Sequence, residues 1–375
     1  MHPAWRIVGL VFTTQFVANA VGFYGLGVVL DPLARDLGVS RTAISAIPLA
    51  LSISGAVIGP LMGRAVVRFP IRPIMAVGAG AVAVSFFVMA RSHSVIALQL
   101  GYGLGVALGL GSLSGVPPSA LIVNWFEGRR AFALGIAGIG ISLAGAVMTP
   151  ITTLAVESFG WRTTFDGFAL AAALLVPIVL WLAVTRPADV GLEPYGPGEA
   201  PPPPTGSDGR APTTVELLRD PRLWSIGVAA GFAFMAGTAV ITHVKTVGTD
   251  AGIDPVDASI LLSMVAGGAA AAKVVFGLLA ARIGERASLL VAIACEAAGL
   301  IALAELRHAY AALVVAAGVF GLGMGAVVPL MQALLARIYG PTHFGPASGL
   351  AVPILTIFQA FGPPLLGYAV DTQGD

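Results

Sequence analysis

GPLMGRAVVRFPIR occupies residues 59–72, between two long apolar runs, and a shorter relative, GLLAARIGER, occupies 277–286. Each stretch has a glycine, an arginine five residues later, and further arginines beyond it. The repeat extends outward. Gly103-Leu104-Gly105 with Pro117 is matched by Gly321-Leu322-Gly323 with Pro329. A duplicated arrangement of apolar runs joined by basic turns is the pattern of a multi-span membrane protein built as two parallel halves.

Composition agrees. The chain has 375 residues, 57% hydrophobic and 10% charged. A soluble fold of this size could not cover its surface with so few charges, since about 25% is usual. The 48 glycines suit close helix packing in lipid. A net charge of +1 gives no electrostatic footprint for nucleic acid. Cys295 is the single cysteine, so no intrachain disulfide can form, and it reads as a small buried hydrophobe. The first apolar run is too long for a signal-peptide core and reads as a retained helix.

A membrane helix needs about 20 apolar residues. Eleven runs qualify, at roughly 8–30, 43–66, 72–90, 95–120, 131–156, 162–184, 223–245, 257–281, 287–304, 309–333 and 346–370. They are too long and too evenly apolar for barrel strands, so an all-α membrane protein is expected. Arginine distribution predicts a cytoplasmic N-terminus. That side then holds Arg6, Arg64, Arg68, Arg72, Arg129, Arg130, Arg186, Arg210, Arg219, Arg222, Arg282, Arg286 and Arg337, thirteen against five for Arg35, Arg41, Arg91, Arg162 and Arg307. The expected location is the cell inner (plasma) membrane, and the expected state is a monomer in the bilayer. The Pro-rich stretch 185–221, with Pro201 to Pro204, reads as a cytoplasmic linker. It divides an N-terminal half, 1–184, from a C-terminal half, 222–375.

Three further stretches carry a family resemblance. Asn124-Trp125-Phe126-Glu127-Gly128-Arg129-Arg130-Ala131, leading to Leu134-Gly135, resembles the W-F-x-x-R-R-x-x-A-x-G of the monocarboxylate and oxalate/formate branch of the major facilitator superfamily. Gly160-Trp161-Arg162 resembles that branch's G-W-R, and His243, Gly252-Ile253 and Gly277 resemble its helix seven–eight stretch. The repeated basic turn resembles the superfamily's G-x-x-x-D-R-x-G-R. Here Gly63 replaces the acid while Gly59 and Arg64 remain, and the second copy has Ala281 with Gly277, Arg282, Gly284 and Arg286. The resemblance implies the major facilitator fold, two six-helix halves, with the twelfth helix apparently missing because the chain stops at Asp375. Gly59, Arg64, Gly277, Arg282 and Arg286 are expected to form the cytoplasmic gating motif.

Ionisable groups at membrane depth are costly, about 2.5–3.5 kcal/mol at a helix centre, and so draw attention. Lys273 lies eight residues before Ala281, about 12 Å at 1.5 Å per residue. Its bland reading is snorkelling towards the interface. The resemblance implies more, because the branch places a substrate-holding arginine four residues before the glycine that is Gly277 here. The branch's proton-linked acid one turn earlier is Ala269, so a Lys–Asp relay is not supported. His243 and Glu296 are candidates for ion coupling, with interfacial anchoring and helix packing as the alternatives; Lys245 reads as an anchor. Asn19, Tyr24, Tyr102, Ser112, Ser114, Gln332 and Gln359 are neutral polar groups expected to contribute with His243 to substrate binding, though each alone is more often a helix–helix hydrogen bond. Asp31, Asp36, Asp250, Asp254 and Asp257 are expected to be solvated loop acids.

No cofactor, metal site or catalytic residue is expected. The apolar runs hold no paired ligands at metal spacing and no nucleophile–base pair, and no glycine-rich loop ends in Lys-Ser/Thr. The expected function is secondary active transport of a small, monocarboxylate-like organic anion by alternating access, a carboxylate being the partner that Lys273 would neutralise. Alternatives are export of neutral or cationic compounds, a membrane enzyme, and a transporter-like sensor or scaffold.

Overall fold

The computed structural model describes residues 2–196, 213–250, 253–305 and 309–373, and every named element of regular structure in them is helical. Nine continuous runs among the described residues are long and apolar enough to cross a membrane. Two of the nine are 53 residues long and turn within themselves at a glycine outside helical geometry, Gly160 (φ 76°, ψ 163°) and Gly340 (φ 67°, ψ 171°). The runs 131–156 and 162–184 of the sequence thus lie on either side of Gly160, and 309–333 and 346–370 on either side of Gly340, where two helices meet at a non-helical residue. Positive φ at these turns is a conformation that favours glycine. We label the helical segments α1 (Ala4–Leu37), α2 (Arg41–Arg68), α3 (Ile71–Ala90), α4 (Val95–Trp125), α5 (130–159), α6 (161–182), α7 (Pro221–Asp250), α8 (Pro255–Ile283), α9 (Glu285–Glu305), α10 (310–339) and α11 (341–373). The expectations for Pro201 to Pro204, Arg210, Gly252 and Arg307, and for the side chain of Lys245, fall outside the described residues.

Local chemistry sets the helix ends. α1 stops where Gly38 takes φ 62°. Ser40 caps α2 by accepting from the Ala43 amide at 3.2 Å. Gly284, at φ 82°, closes α8. α1 and α4 each contain a π-helical turn, Ala20–Tyr24 and Gly101–Val106, the kind of bulge that often accompanies function.

Two compact units emerge, and they are not the two sequence halves. The first comprises Met1–Gly128, Ala137–Ala211 and Tyr339–Pro353, and the second Arg129–Ile136, Pro212–Ile338 and Ile354–Asp375. The first unit's core is aromatic: Phe86, Tyr102 and Phe165 are fully buried, and Phe86 meets Tyr102, Phe165 and Phe168 edge-on at 5.1–5.7 Å. The second unit's core gathers Val240, Val244, Leu261, Val265, Leu313, Ala317 and Phe320. Large apolar side chains such as Leu104, Phe159, Trp181 and Val315 stay exposed, as expected of surfaces that meet lipid.

Glycines bring the helices together. In the first unit a Cβ on Gly59 would meet the Val352 side chain at 2.6 Å, and one on Gly63 would meet the Gly345 carbonyl oxygen at 2.5 Å. Backbone lies against backbone there, so the missing acid at Gly63 has a steric reason: a side chain would displace α11. The α4 row Gly101, Gly105, Gly109 packs against Met89, Ser85 and Val82 of α3. In the second unit Gly135 abuts the Lys273 carbonyl, Gly277 the Phe132 backbone, and Gly325 the Ala269 backbone. With no hydrophobic drive between helices in lipid, such close approach supplies the cohesion.

Substituting Gly63 by leucine should therefore lower stability by about 1–3 kcal/mol, the usual cost of overpacking. Gly9→Leu, where a side chain meets open space, should leave the melting temperature nearly unchanged. Thermal unfolding of the purified variants reads the difference.

Candidate functional site

The polar groups expected to bind substrate distribute differently from one another. In the first unit, Asn19 donates from Nδ2 to the Gln15 carbonyl (2.7 Å) and to Ser114 Oγ (2.8 Å), joining α1 to α4. Ser114 lies where α4 is interrupted before Gly115 and Pro117, so the break sets this hydroxyl facing α1. Tyr24 closes the π-helical turn of α1, half-buried, with its ring against Gly145 of α5. Asn19 and Ser114 thus form a polar pair between α1 and α4, and Tyr24 packs separately against α5.

Tyr102 and Ser112 do not join that pair. Tyr102 is fully buried between Phe86 and Phe165, and its hydroxyl has no hydrogen-bond partner among the described residues. Ser112 donates to the Leu108 carbonyl (2.7 Å) and lies against Gly78 of α3. It lines a small apolar hollow of about 280 Å³ with Met62, Phe69, Ile74 and Val77. Their sequence positions on α4 are those of polar cavity groups; the packing side of the helix decided otherwise.

In the second unit Lys273 is half-buried on α8, with ten residues of helix beyond it. Its backbone carbonyl lies against Gly135. His243 on α7, Gln332 on α10 and Gln359 on α11 are also half-buried. The Gln359 carbonyl accepts from Thr238 Oγ1 at 3.2 Å, which links α7 to α11. Thr238 was not singled out by its sequence, because an isolated threonine in an apolar run carries no signal of its own. Glu296 on α9 is 3% exposed, with neither carboxyl oxygen hydrogen-bonded among the described residues. No cluster of three or more His, Cys, Asp or Glu able to hold a metal occurs among them.

Two motifs acquire physical roles. Trp125 donates from Nε1 to the Val184 carbonyl (2.7 Å), Asn124 from Nδ2 to the Thr185 carbonyl (3.1 Å), and Arg72 from Nε to the Ala183 carbonyl (2.5 Å). The unpaired carbonyls beyond α6 are thereby satisfied, and the arginine also meets the negative end of that helix. Phe126 and Tyr195 then pair in a single parallel bridge, with their rings 5.6 Å apart, which fixes the chain leaving α6. Gly160-Trp161-Arg162 turns α5 into α6 and reaches α1. Trp161 Nε1 and Arg162 Nη1 both donate to Asp36 Oδ2, at 3.3 and 2.5 Å. Asp36 is thus an exposed acid as expected, but on a helix and with partners instead of in a loop; Asp31 and Asp257 also lie within helices.

Of the basic turn, Gly59 and Gly277 serve close packing. Arg64, Arg282 and Arg286 are exposed. Near the second copy, Arg337 pairs with Glu285 at 2.9 Å.

The sequence profile of the Major Facilitator Superfamily matches residues 12–246 and, a second time, residues 226–374. The chain belongs to the Major Facilitator Superfamily. That family is one of membrane transport proteins, not of enzymes. Monocarboxylate transporter 4 of Rattus norvegicus is 30% identical over 236 residues, which are 61% of this chain and 47% of the relative. Monocarboxylate transporter 11 of Homo sapiens is 27% identical over 281 residues, 72% of this chain and 56% of the relative. The chain spans about half the length of the curated relatives it matches. Among solved structures, the human organic anion transporter MFSD10 superposes with a TM-score of 0.73 at 17% identity, covering 97% of this chain and 93% of that one. The E. coli fucose:proton symporter FucP gives 0.71 at 17% identity, covering 100% and 93%. These two likenesses establish the major facilitator fold.

The Asn19–Ser114 bond should show as coupling between the two side chains. In a double-mutant cycle with Asn19→Ala and Ser114→Ala, an interaction energy of about 0.6 kcal/mol, and at most about 1.7, is expected from thermal unfolding. Removing the indole donor by Trp125→Phe should cost about 1–3 kcal/mol by orphaning the Val184 carbonyl.

Proposed function

We propose that this major facilitator is a secondary carrier of small organic anions of the monocarboxylate kind, working by alternating access. The observation that carries the reading is Lys273, an ammonium half-buried within the apolar helix α8. Stripping water from a carboxylate is costly unless a charge partner replaces it, and an ammonium at depth supplies one. Lysine offers a point charge where a guanidinium would offer a planar fork, so orientation must come from neighbouring neutral donors. His243, Gln332 and Gln359, which belong to the same unit as Lys273, are the groups proposed for that task; Asn19, Tyr24 and Ser114 are proposed as substrate contacts of the other unit. The named relatives that share about 30% identity are monocarboxylate transporters, which supports the same substrate class.

The distribution of basic residues supports a cytoplasmic N-terminus; residence in the inner (plasma) membrane as a monomer is proposed with it. Alternating access is proposed as a rocking of two halves around a central site. His243, half-buried on α7, is proposed as a coupling candidate.

Uptake of labelled acetate, pyruvate and lactate into proteoliposomes tests the reading. Lys273→Gln should reduce carboxylate transport at least about thirtyfold, the loss of one desolvated charge partner being worth about 2–5 kcal/mol. Lys273→Arg should retain a measurable part. Unchanged uptake by Lys273→Gln would remove Lys273 from the mechanism. A carrier indifferent to carboxylates that moves neutral or cationic compounds would replace the reading with the export alternative.

A further inference from the structure

Glu296 stands apart from every other acid in the spans. It lies midway along α9, between Glu285 and Glu305 at the helix ends. Its side chain is 3% exposed, and both Oε1 and Oε2 lack a hydrogen-bond partner among the described residues. The surroundings are made of glycines. A Cβ on Gly323 of α10 would run into the Glu296 backbone, so α9 and α10 touch there. A Cβ on Gly237 of α7 would sit 2.9 Å from Met324 Sδ and 3.9 Å from Glu296 Oε1. The carboxyl therefore reaches across the α9–α10 seam to the backbone of α7, beside a thioether. No hydroxyl, amide or cation meets it among the described residues.

An ionised carboxylate left without a partner in such a place is costly enough that the group takes a proton instead. The titratable groups on the neighbouring elements are remote in sequence from this junction. On α7 the nearest is His243, six residues from Gly237, or about 9 Å along the axis. On α10 the nearest described ones, Tyr310 and Arg337, lie more than a dozen residues from Met324. On α8 it is Lys273, whose backbone abuts Gly135. On α9 the charged residues are Glu285, Arg286 and Glu305 at the ends, with the Cys295 thiol adjacent in sequence. Even the neutral acid leaves a hydroxyl unpaired, a cost that methionine of similar size would remove. A costly buried acid is accounted for by what it binds.

We infer that Glu296 is a proton-binding site, filled while α7, α9 and α10 are packed at Gly237 and Gly323, and emptied when that seam opens to water. Proton occupancy is then tied to the arrangement of three helices of one unit, and the site is distinct from the ammonium on α8. Its use to drive transport rests on the carrier reading above; its protonation does not.

Infrared difference spectra of the full chain in lipid, wild type minus Glu296→Gln, test the protonation directly. At neutral pH the difference should contain the carbonyl stretch of a protonated, weakly hydrogen-bonded carboxylic acid. A carboxylate band in its place would overturn the proposal. If Glu296→Gln does not fold, dicyclohexylcarbodiimide labelling of the wild type keeps the question open to refutation. The protonated carboxyl O–H adds across one C=N bond of the reagent with nothing leaving, so peptide mass mapping should find the adduct on Glu296, more of it at low pH. Absence of the adduct in unfolding-controlled samples would overturn the proposal. In proteoliposomes an inward proton gradient should accelerate pyruvate uptake severalfold in wild type and not in Glu296→Gln. Equal acceleration in both would overturn the coupling role. The infrared band without any pyruvate uptake would support the proton site and count against the carboxylate carrier.

Discussion

Helices in a bilayer have no solvent to flee, and what holds this protein together is how closely their backbones approach. At Gly63, Gly135, Gly268, Gly299, Gly321, Gly323 and Gly325 an added Cβ would collide with a neighbouring backbone. Each such place trades side-chain burial for van der Waals contact between main chains. The same contacts assign segments to units: the start of α11 joins α2 through Gly345 and Gly349, and the start of α5 joins α8 through Gly135 and Phe132. Units defined by packing therefore exchange short pieces across the sequence halves.

That constraint also decides which polar groups are available for chemistry. A hydroxyl on the packing face of α4, such as Ser112, is consumed by its own helix carbonyl and the tight approach of Gly78. One on the interrupted part of the same helix, Ser114, is turned towards α1 and Asn19. Tyr102 spends its ring on the aromatic core. At the end of α6, Arg72, Asn124 and Trp125 satisfy the last carbonyls, so the most recognisable motif in the chain is a capping device. The degenerate basic turn is likewise a packing solution, with Gly63 taking the place where an acid would strike α11.

Much of the fold was legible from the sequence. Apolar length marked the membrane-crossing helices, because lipid imposes it on any helical membrane protein. Gly101, Gly105 and Gly109 pack against α3, in keeping with the close packing expected of the chain's many glycines. How segments are shared between the two compact units was not legible, since glycine contacts between helices distant in sequence leave no mark in hydropathy. The site was legible only in part. Residue type marked Lys273 and Glu296, for an ionisable group in an apolar run is conspicuous. Which way Tyr102, Ser112 or Ser114 faces depends on the π-turn and the break in α4, which hydropathy does not record. Asp36 was expected in a loop for a related reason: α1 runs on to Leu37, and its partners Trp161 and Arg162 lie far away in sequence.

The account turns on an ammonium in α8 that meets a carboxylate. Its most direct measurement is the thermal shift of the purified protein with monocarboxylates and with their neutral amides, compared between wild type and Lys273→Gln. A ligand at about one hundred times its dissociation constant stabilises by about 2.7 kcal/mol, ample for detection. Stabilisation by the acids, absent with the amides and lost in Lys273→Gln, is the predicted result. Equal stabilisation of both proteins, or stabilisation by the amides alone, would contradict it.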